Sequence, residues 1–300
     1  MKRVIPFVFV FALWAAAVPT AVGQDAVVDD PRTVEQLIEK LGDELPLTRL
    51  EAAKALGAKG AEAMPAIFAT LEDVDWRVRR GGVDALAAMP ERDGKVAQRL
   101  ILLLDDPNAW VRDGAAELLG KFGKDAEAAA EGLARLCADK EPWVRYSAIN
   151  SLQSVTKDKD ILLPAAVALI RMPDTCWRSR GTAVGLIGKH GKDYDPGKAA
   201  LFHVMEHPSE GMWCSVPKVV EVLLKQGVPC ETVEKAILKF GRRDEWSNRR
   251  LAMSLLVKHM GDSESTLPFV RDLAENDPHR KVRAAAAGTL EQLEKKSSQP

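Results

Sequence analysis

The segment Asp106-Pro107-Asn108-Ala109-Trp110-Val111-Arg112-Asp113-Gly114-Ala115-Ala116-Glu117-Leu118-Leu119-Gly120 carries a pattern that returns along the whole chain. After Trp14 the tryptophans stand at Trp76, Trp110, Trp143, Trp177, Trp213 and Trp246, at gaps of 34, 33, 34, 36 and 33 residues. Arginine follows five of them two or three positions on, at Arg79, Arg112, Arg145, Arg180 and Arg249, and the series extends to Arg49 and Arg283. Aspartate precedes the arginine by five or six residues at Asp73, Asp106, Asp139, Asp174, Asp244 and Asp277. Three residue types on one beat mark an internal repeat, and a repeat sets the architecture before any local reading does.

Each unit reads as two helices. Ala66 to Asp73 and Arg99 to Asp106 are apolar runs that end in acid, followed by a short turn often marked by proline (Pro107, Pro142, Pro278). The run after the turn, such as Val78 to Leu86 or Val111 to Gly120, repeats apolar and small residues three and four apart, the period of a one-sided helix. Gly57, Gly120, Gly188, Gly227 and Gly261 are expected just past helix ends. Thr48-x-x-Glu51 has the form of a capping box for the second helix of the first unit. Eight pairs are predicted, starting near Arg32, Ala61, Gly94, Asp125, Asp160, Pro196, Cys230 and Ser265. The fold class is therefore all-α, an α-solenoid, and the 300 residues need not be divided into two globular domains. Abundant alanine, with only two tyrosines, suits helices throughout.

The phrases at 106–120 and 277–287 resemble HEAT-like repeats, of the short kind also found in phycobilisome lyases, over about Arg32 to Leu293. The resemblance implies an armadillo-like superhelix that binds partners, since scaffolds outnumber enzymes among such folds. One enzyme of this fold, deoxyhypusine hydroxylase, holds two irons with His-Glu dipeptides. None of the five histidines here (His190, His203, His207, His259, His279) is followed by glutamate, so that activity is not implied.

Residues 1–23 read differently. Lys2 and Arg3 precede an apolar run from Val4 to Val18, Pro19 breaks it, and Ala21-Val22-Gly23 supplies small residues before Gln24. This is the form of a secretory signal peptide cut after Gly23, too short to span a bilayer. The expected organisation is signal peptide 1–23, linker 24–31, solenoid 32–294 and disordered tail 295–300, with the product periplasmic or secreted and not stably inserted in a membrane. The 42 basic and 43 acidic residues give no electrostatic reason to expect nucleic acid.

The Asp and Arg series, recurring in every unit, is read as architecture that joins repeats and caps turns. The tryptophans either pack over the seams between units or form an aromatic stripe for a sugar or peptide. His203-Val204-Met205-Glu206-His207 matches H-x-x-E-H, the zinc-peptidase pattern, and makes His203 and His207 weak metal candidates. Aligned on the repeat, however, Glu206 falls at the Glu72 position and His207 at the Asp73 position, and no third ligand is evident. No cofactor is predicted. Cys176 and Cys214 flank equivalent tryptophans of adjacent units and would suit a disulfide after export. Cys137 reads as a packed thiol and Cys230 as a helix-start thiol. The sixth unit is irregular, with long turns at 188–197 and 208–217 and no arginine at the usual place.

Residues just past the ladder arginines should lie on the concave face: Arg80, Asp113, Tyr146 and Arg250, with Asp84, Glu117, Asn150 and Ser254 one turn later. This polar set of mixed sign suits a protein or peptide partner better than a polyanion. The sequence thus points to a non-catalytic, exported scaffold. The alternatives are polysaccharide binding by the tryptophan stripe and a metal-dependent enzyme at His203, Glu206 and His207.

Overall fold

A computed structural model describes residues 30–90, 94–172, 174–207, 215–261 and 263–297. The described residues form sixteen α-helices and three short 3-10 turns, without a strand. The helices come in the eight pairs predicted. The first four are α1 (Val34–Leu41) with α2 (Pro46–Ala58), α3 (Met64–Thr70) with α4 (Trp76–Ala88), α5 (Gly94–Leu102) with α6 (Ala109–Phe122), and α7 (Ala130–Leu136) with α8 (Pro142–Val155). The last four are α9 (Lys159–Arg171) with α10 (Trp177–His190), α11 (Asp195–Glu206) with α12 (Val216–Lys225), α13 (Cys230–Gly241) with α14 (Trp246–Met260), and α15 (Thr266–Asn276) with α16 (Arg280–Ser297).

Second helices pack on second helices, from α2 on α4 through α10 on α12, and first helices on first helices, as α7 on α9 and α9 on α11. This nearest-neighbour stacking is what makes a solenoid. Leu37, Leu56, Leu100, Leu119, Leu133 and Ile149 lie in the seams without solvent contact. Each such side chain contributes about 1.5–3 kcal/mol of burial energy. Turn polar groups start the second helices: the Asp75 carboxylate accepts from the Arg77 N–H at 2.9 Å and the Asn108 side chain from the Trp110 N–H at 2.9 Å.

Several sequence expectations change in detail. The capping box belongs to α1, where Thr33 and Gln36 exchange hydrogen bonds, and not to Thr48. Pro46 opens α2 at its first turn, which leaves Thr48 inside the helix. Gly57, Gly120 and Gly188 lie within the last turns of their helices, whereas Gly227 (φ 79°) and Gly261 (φ 63°) do follow helix ends. The turn between α10 and α11 spans only 191–194, because α11 starts at Asp195. The helix α16 runs through Ser297, past the expected tail boundary at 295, with Lys295 paired to Glu291 one turn back at 2.6 Å. The signal peptide, most of the linker, residues 298–300 and both Trp213 and Cys214 lie outside the described residues.

Candidate binding surface on the second helices

The Asp–Arg series is a ladder between units. Arg79 donates from Nε and Nη2 to the Asp106 carboxylate at 2.7 and 2.9 Å, and from Nη1 to the carbonyls of Asp73 and Val74. Arg112 does the same with Asp139, at 2.7 and 2.9 Å, and with the Asp106 and Pro107 carbonyls. Arg249 repeats it with Asp277 at 2.5 and 3.0 Å. Each aspartate also accepts the backbone N–H two residues on, as Asp106 from Asn108 and Asp277 from His279, both at 2.8 Å. These side chains are 0–12 % exposed, so the pairs are two-pronged and mostly dry. The hydrogen bond from Arg249 holds the Asp277 carboxyl below the usual range.

The ladder is interrupted in the middle. Arg180 is fully buried, but its Nε and Nη2 have no hydrogen-bond partner among the described residues. Burial pulls its pKa down to about 10, against the opposing pull of Cys176 and with help from the charge of Arg145.

The eight residues read from sequence as a surface divide into three groups. Arg80, Asp84 and Asp113 form a cluster across α4 and α6: Arg80 Nε donates to Asp84 at 2.9 Å and Nη1 lies 3.5 Å from Asp113. Arg80 also donates to the Trp110 carbonyl at 2.6 Å, and Ser147 on α8 donates to Asp113 at 2.7 Å. Burial raises the carboxyl pKa of both Asp84 and Asp113. This cluster satisfies itself and so acts mainly as a tie between helices. Glu117 beside it is exposed and pairs with Lys121 at 3.1 Å.

Tyr146 and Asn150 instead line a groove of about 410 Å³ with Trp177, Arg178, Thr182, Ser215 and Lys218. Thr182 and Lys218 also line an adjoining hollow of about 310 Å³, with Gln153, Lys157, Lys189 and His190. The two run together over α8, α10 and α12. Lys218 spans the seam, donating to the Gly181 carbonyl at 2.6 Å. Among the described lining residues there are four cations and no carboxylate. The field is felt at His190, whose pKa is lowered by burial and then by Lys189, Lys159 and Lys157. Trp177 was legible in the tryptophan series, but Arg178, Thr182, Lys189 and Lys218 carry no sequence signal of their own. The third group, Arg250 and Ser254 on α14, is exposed and no hydrogen bond ties it to the other six. Ser254 donates to the Arg250 carbonyl within the helix.

The tryptophans both pack and show. Trp76 packs on the core. Trp110 stacks on Trp143 at 5.5 Å and Trp246 on His279 at 4.7 Å. Trp177 meets the guanidinium of Arg178 at 5.3 Å. Even so, Trp110 is 51 % and Trp177 is 59 % exposed.

His203 and His207 come together, with ring centroids 4.5 Å apart. Glu206 turns away from them to Lys239 of the next unit, at 2.8 Å, and that hydrogen bond lowers its pKa. No group of three or more His, Cys, Asp or Glu is placed to hold a metal among the described residues. Cys176 is a free thiol at the start of α10, 3.0 Å from the Ser179 hydroxyl. Its expected disulfide partner Cys214 is outside the described residues. Cys137 is buried, and burial pushes its thiol up to about 12, while Cys230 is exposed. No described helix is long and apolar enough to cross a membrane.

Eight stacked helix pairs define an α-solenoid, and just under half of the chain is similar to HEAT repeats. The family model for HEAT repeats matches residues 34–102 and 96–175. Among solved structures, the CpcE–CpcF complex of phycocyanin lyase from Nostoc sp. PCC7120 is similar at 20% identity and a TM-score of 0.39, over 84% of this chain and 97% of that one. An engineered protein is similar at 17% identity and a TM-score of 0.30, over 87% of this chain and 96% of that one. The UNC-45 chaperone, described as critical for binding and folding muscle myosin, is similar at 13% identity and a TM-score of 0.33, over 89% of this chain and 42% of that one. No curated protein matches the sequence.

Proposed function

We propose that the protein is an exported, non-catalytic scaffold that binds an acidic segment of a protein partner along the second-helix face over α8, α10 and α12. One observation carries this reading: the groove from Tyr146 to His190 combines aromatic rings with Arg178, Lys157, Lys189 and Lys218 and is lined by no described carboxylate. Aromatic walls supply burial while separated cations recognise carboxylates and speed encounter. Export rests on the form of residues 1–23, and N-terminal sequencing of protein recovered outside the cytoplasm should begin at Gln24.

The binding test is charge reversal. The double variant Lys189→Glu, Lys218→Glu should lose the partner that cross-links to the wild-type groove in an envelope extract, with its helical circular dichroism unchanged. Binding by the wild type should also weaken as salt rises, as exposed charges are screened. Unchanged capture by the double variant would sink the reading.

A second reading, glycan binding by the tryptophan series, is favoured by the exposure of Trp110 and Trp177. Iodide should quench these tryptophans, and an envelope polysaccharide that binds there should protect them. Quenching unaffected by any such polysaccharide rejects it.

A further inference from the structure

The neighbouring second helices α8 and α10 contain no acidic residue. Near their last turns lies the hollow of about 310 Å³, bordered by Leu162 and Leu186. Three ammonium groups reach it from three successive units: Lys157 just past α8, Lys189 in the last turn of α10 and Lys218 near the start of α12. Two of the three are anchored. Lys157 donates to the Gln153 carbonyl and Lys218 to the Gly181 carbonyl. Gly185 makes room for Lys218, since a Cβ there would stand 3.0 Å from Nζ. An ammonium carries three N–H donors, so each anchored lysine keeps two for a ligand.

The acids closest in sequence are engaged elsewhere. Asp158 caps α9 through the Asp160 N–H at 2.9 Å, Glu221 is held by Lys258 at 2.9 Å and Asp195 pairs with Lys198 at 3.2 Å. None of them lines the hollow. His190 does, and the charges around it are Lys189 on its own helix, Lys157 and Lys159 from the α8–α9 turn and the start of α9, and Lys218 from α12. A single carboxylate would leave most of this charge uncompensated. An extended chain places alternate side chains on one side, about 7 Å apart, so two acids at that spacing can enter together.

We propose that this hollow takes two carboxylates, from residues i and i+2 of one extended segment, together with a proton on His190, so that capture tightens as the medium becomes more acidic. The inference rests on the groove reading above and names the pattern that the bound segment must carry. In the free protein burial, and then Lys189, Lys159 and Lys157, lower the pKa of His190, and the ring is uncharged at neutral pH. Two carboxylates beside it favour the imidazolium and raise that pKa. Binding therefore takes up a proton between the two values. Affinity rises as pH falls through the bound-state value and levels off below the free-state value.

Titration with N-acetyl-Asp-Gly-Asp amide and with N-acetyl-Asp-Gly-Asn amide tests it, read by NMR of the lysine and histidine side chains between about pH 8 and pH 6, where the peptide carboxylates stay ionised. The two-acid peptide should bind several-fold more tightly than the one-acid peptide. Its affinity should rise toward pH 6, by at most about tenfold per pH unit for one proton. The His190 ring pKa, read from the same signals, should go up on binding, and His190→Gln should show no rise in affinity over that range. Equal binding of the two peptides, or an affinity of the wild type that is flat with pH, overturns the proposal; where Lys189→Glu, Lys218→Glu still abolishes that binding, the groove reading stands. No binding of either peptide also overturns it, and the charge-reversal test of partner capture then decides the groove reading separately. Inorganic phosphate that binds more tightly than the two-acid peptide would assign the hollow to a phosphate group and overturn the proposal as well.

Discussion

Arg112 and Arg180 occupy the same position in their units and meet opposite fates. Arg112 closes on Asp139 and on two turn carbonyls. Its replacement by methionine strands a carboxylate that is only 7% exposed, and should cost about 3–5 kcal/mol, the usual loss when one partner of a buried pair is removed. Arg180→Met instead removes a buried charge that meets no carboxylate among the described residues, and should be neutral or stabilising by about 1 kcal/mol. Urea midpoints of the two variants, read by circular dichroism, check the contrast. Loss of stability in Arg180→Met equal to that in Arg112→Met would mean that both arginines are satisfied alike. Asp277 adds a pH signature. Arg249 depresses its folded pKa, so the pair's stability is fully present above the unfolded value near 3.9 and is lost as pH falls through the folded value. The stability advantage of the wild type over Asp277→Asn should therefore be constant above about pH 5 and shrink below about pH 4. An advantage that is flat across that range contradicts the ion pair. The ladder was legible because both of its residues keep the period. The gap at Arg180 was legible only by register, as histidine in an aspartate's place.

Glycine shows what periodicity alone does not separate at the scale of a helix. A glycine near a helix end can serve a left-handed backbone or can serve a close approach, and the sequence looks the same. Gly227 and Gly261 have positive φ and are of the first kind. Gly57 is of the second. A Cβ there would lie 2.7 Å from the Ala85 carbonyl oxygen and from the Ala88 Cβ, at the seam of α2 and α4. Gly57→Ala should gain up to about 1 kcal/mol in helix propensity but lose about 1–3 kcal/mol in overpacking, for a net loss. Gly288 in α16 has open space around the same position, so Gly288→Ala should gain about 0.5–1 kcal/mol. Opposite shifts in the two melting temperatures are the expected result. A stabilised Gly57→Ala would mean that the α2–α4 seam yields more easily than its contacts indicate. Thr48 was misread for a related reason: its spacing to Glu51 is correct, but Leu45-Pro46 starts the helix a turn earlier.

Across the whole molecule, the number and order of helix pairs could be read directly, because each unit repeats the last and touches only its neighbours. The groove could not, since Tyr146, Trp177, Lys189 and Lys218 come from three successive units and converge only through stacking. Nearest-neighbour stacking also makes stability a local sum, so that the ends of a solenoid are held by one interface each. At the C-terminal end the buried side chains divide. Most of the core is one cluster from Leu37 to Leu256, whereas Met253, Val270, Leu273, Val282, Ala286 and Leu293 form a second, joining α15 and α16 to one face of α14. A small, separate core under long exposed helices lowers the free energy of local opening relative to the middle of the stack. Amide hydrogen exchange followed by mass spectrometry should find α15 and α16 opening together, ahead of α6, α8 and α10, whose buried leucines and isoleucines sit between neighbours on both sides. Exchange of α15 and α16 in step with α6 and α8 would show that the second core is cooperatively part of the first, and that the end of the rod opens only with the whole.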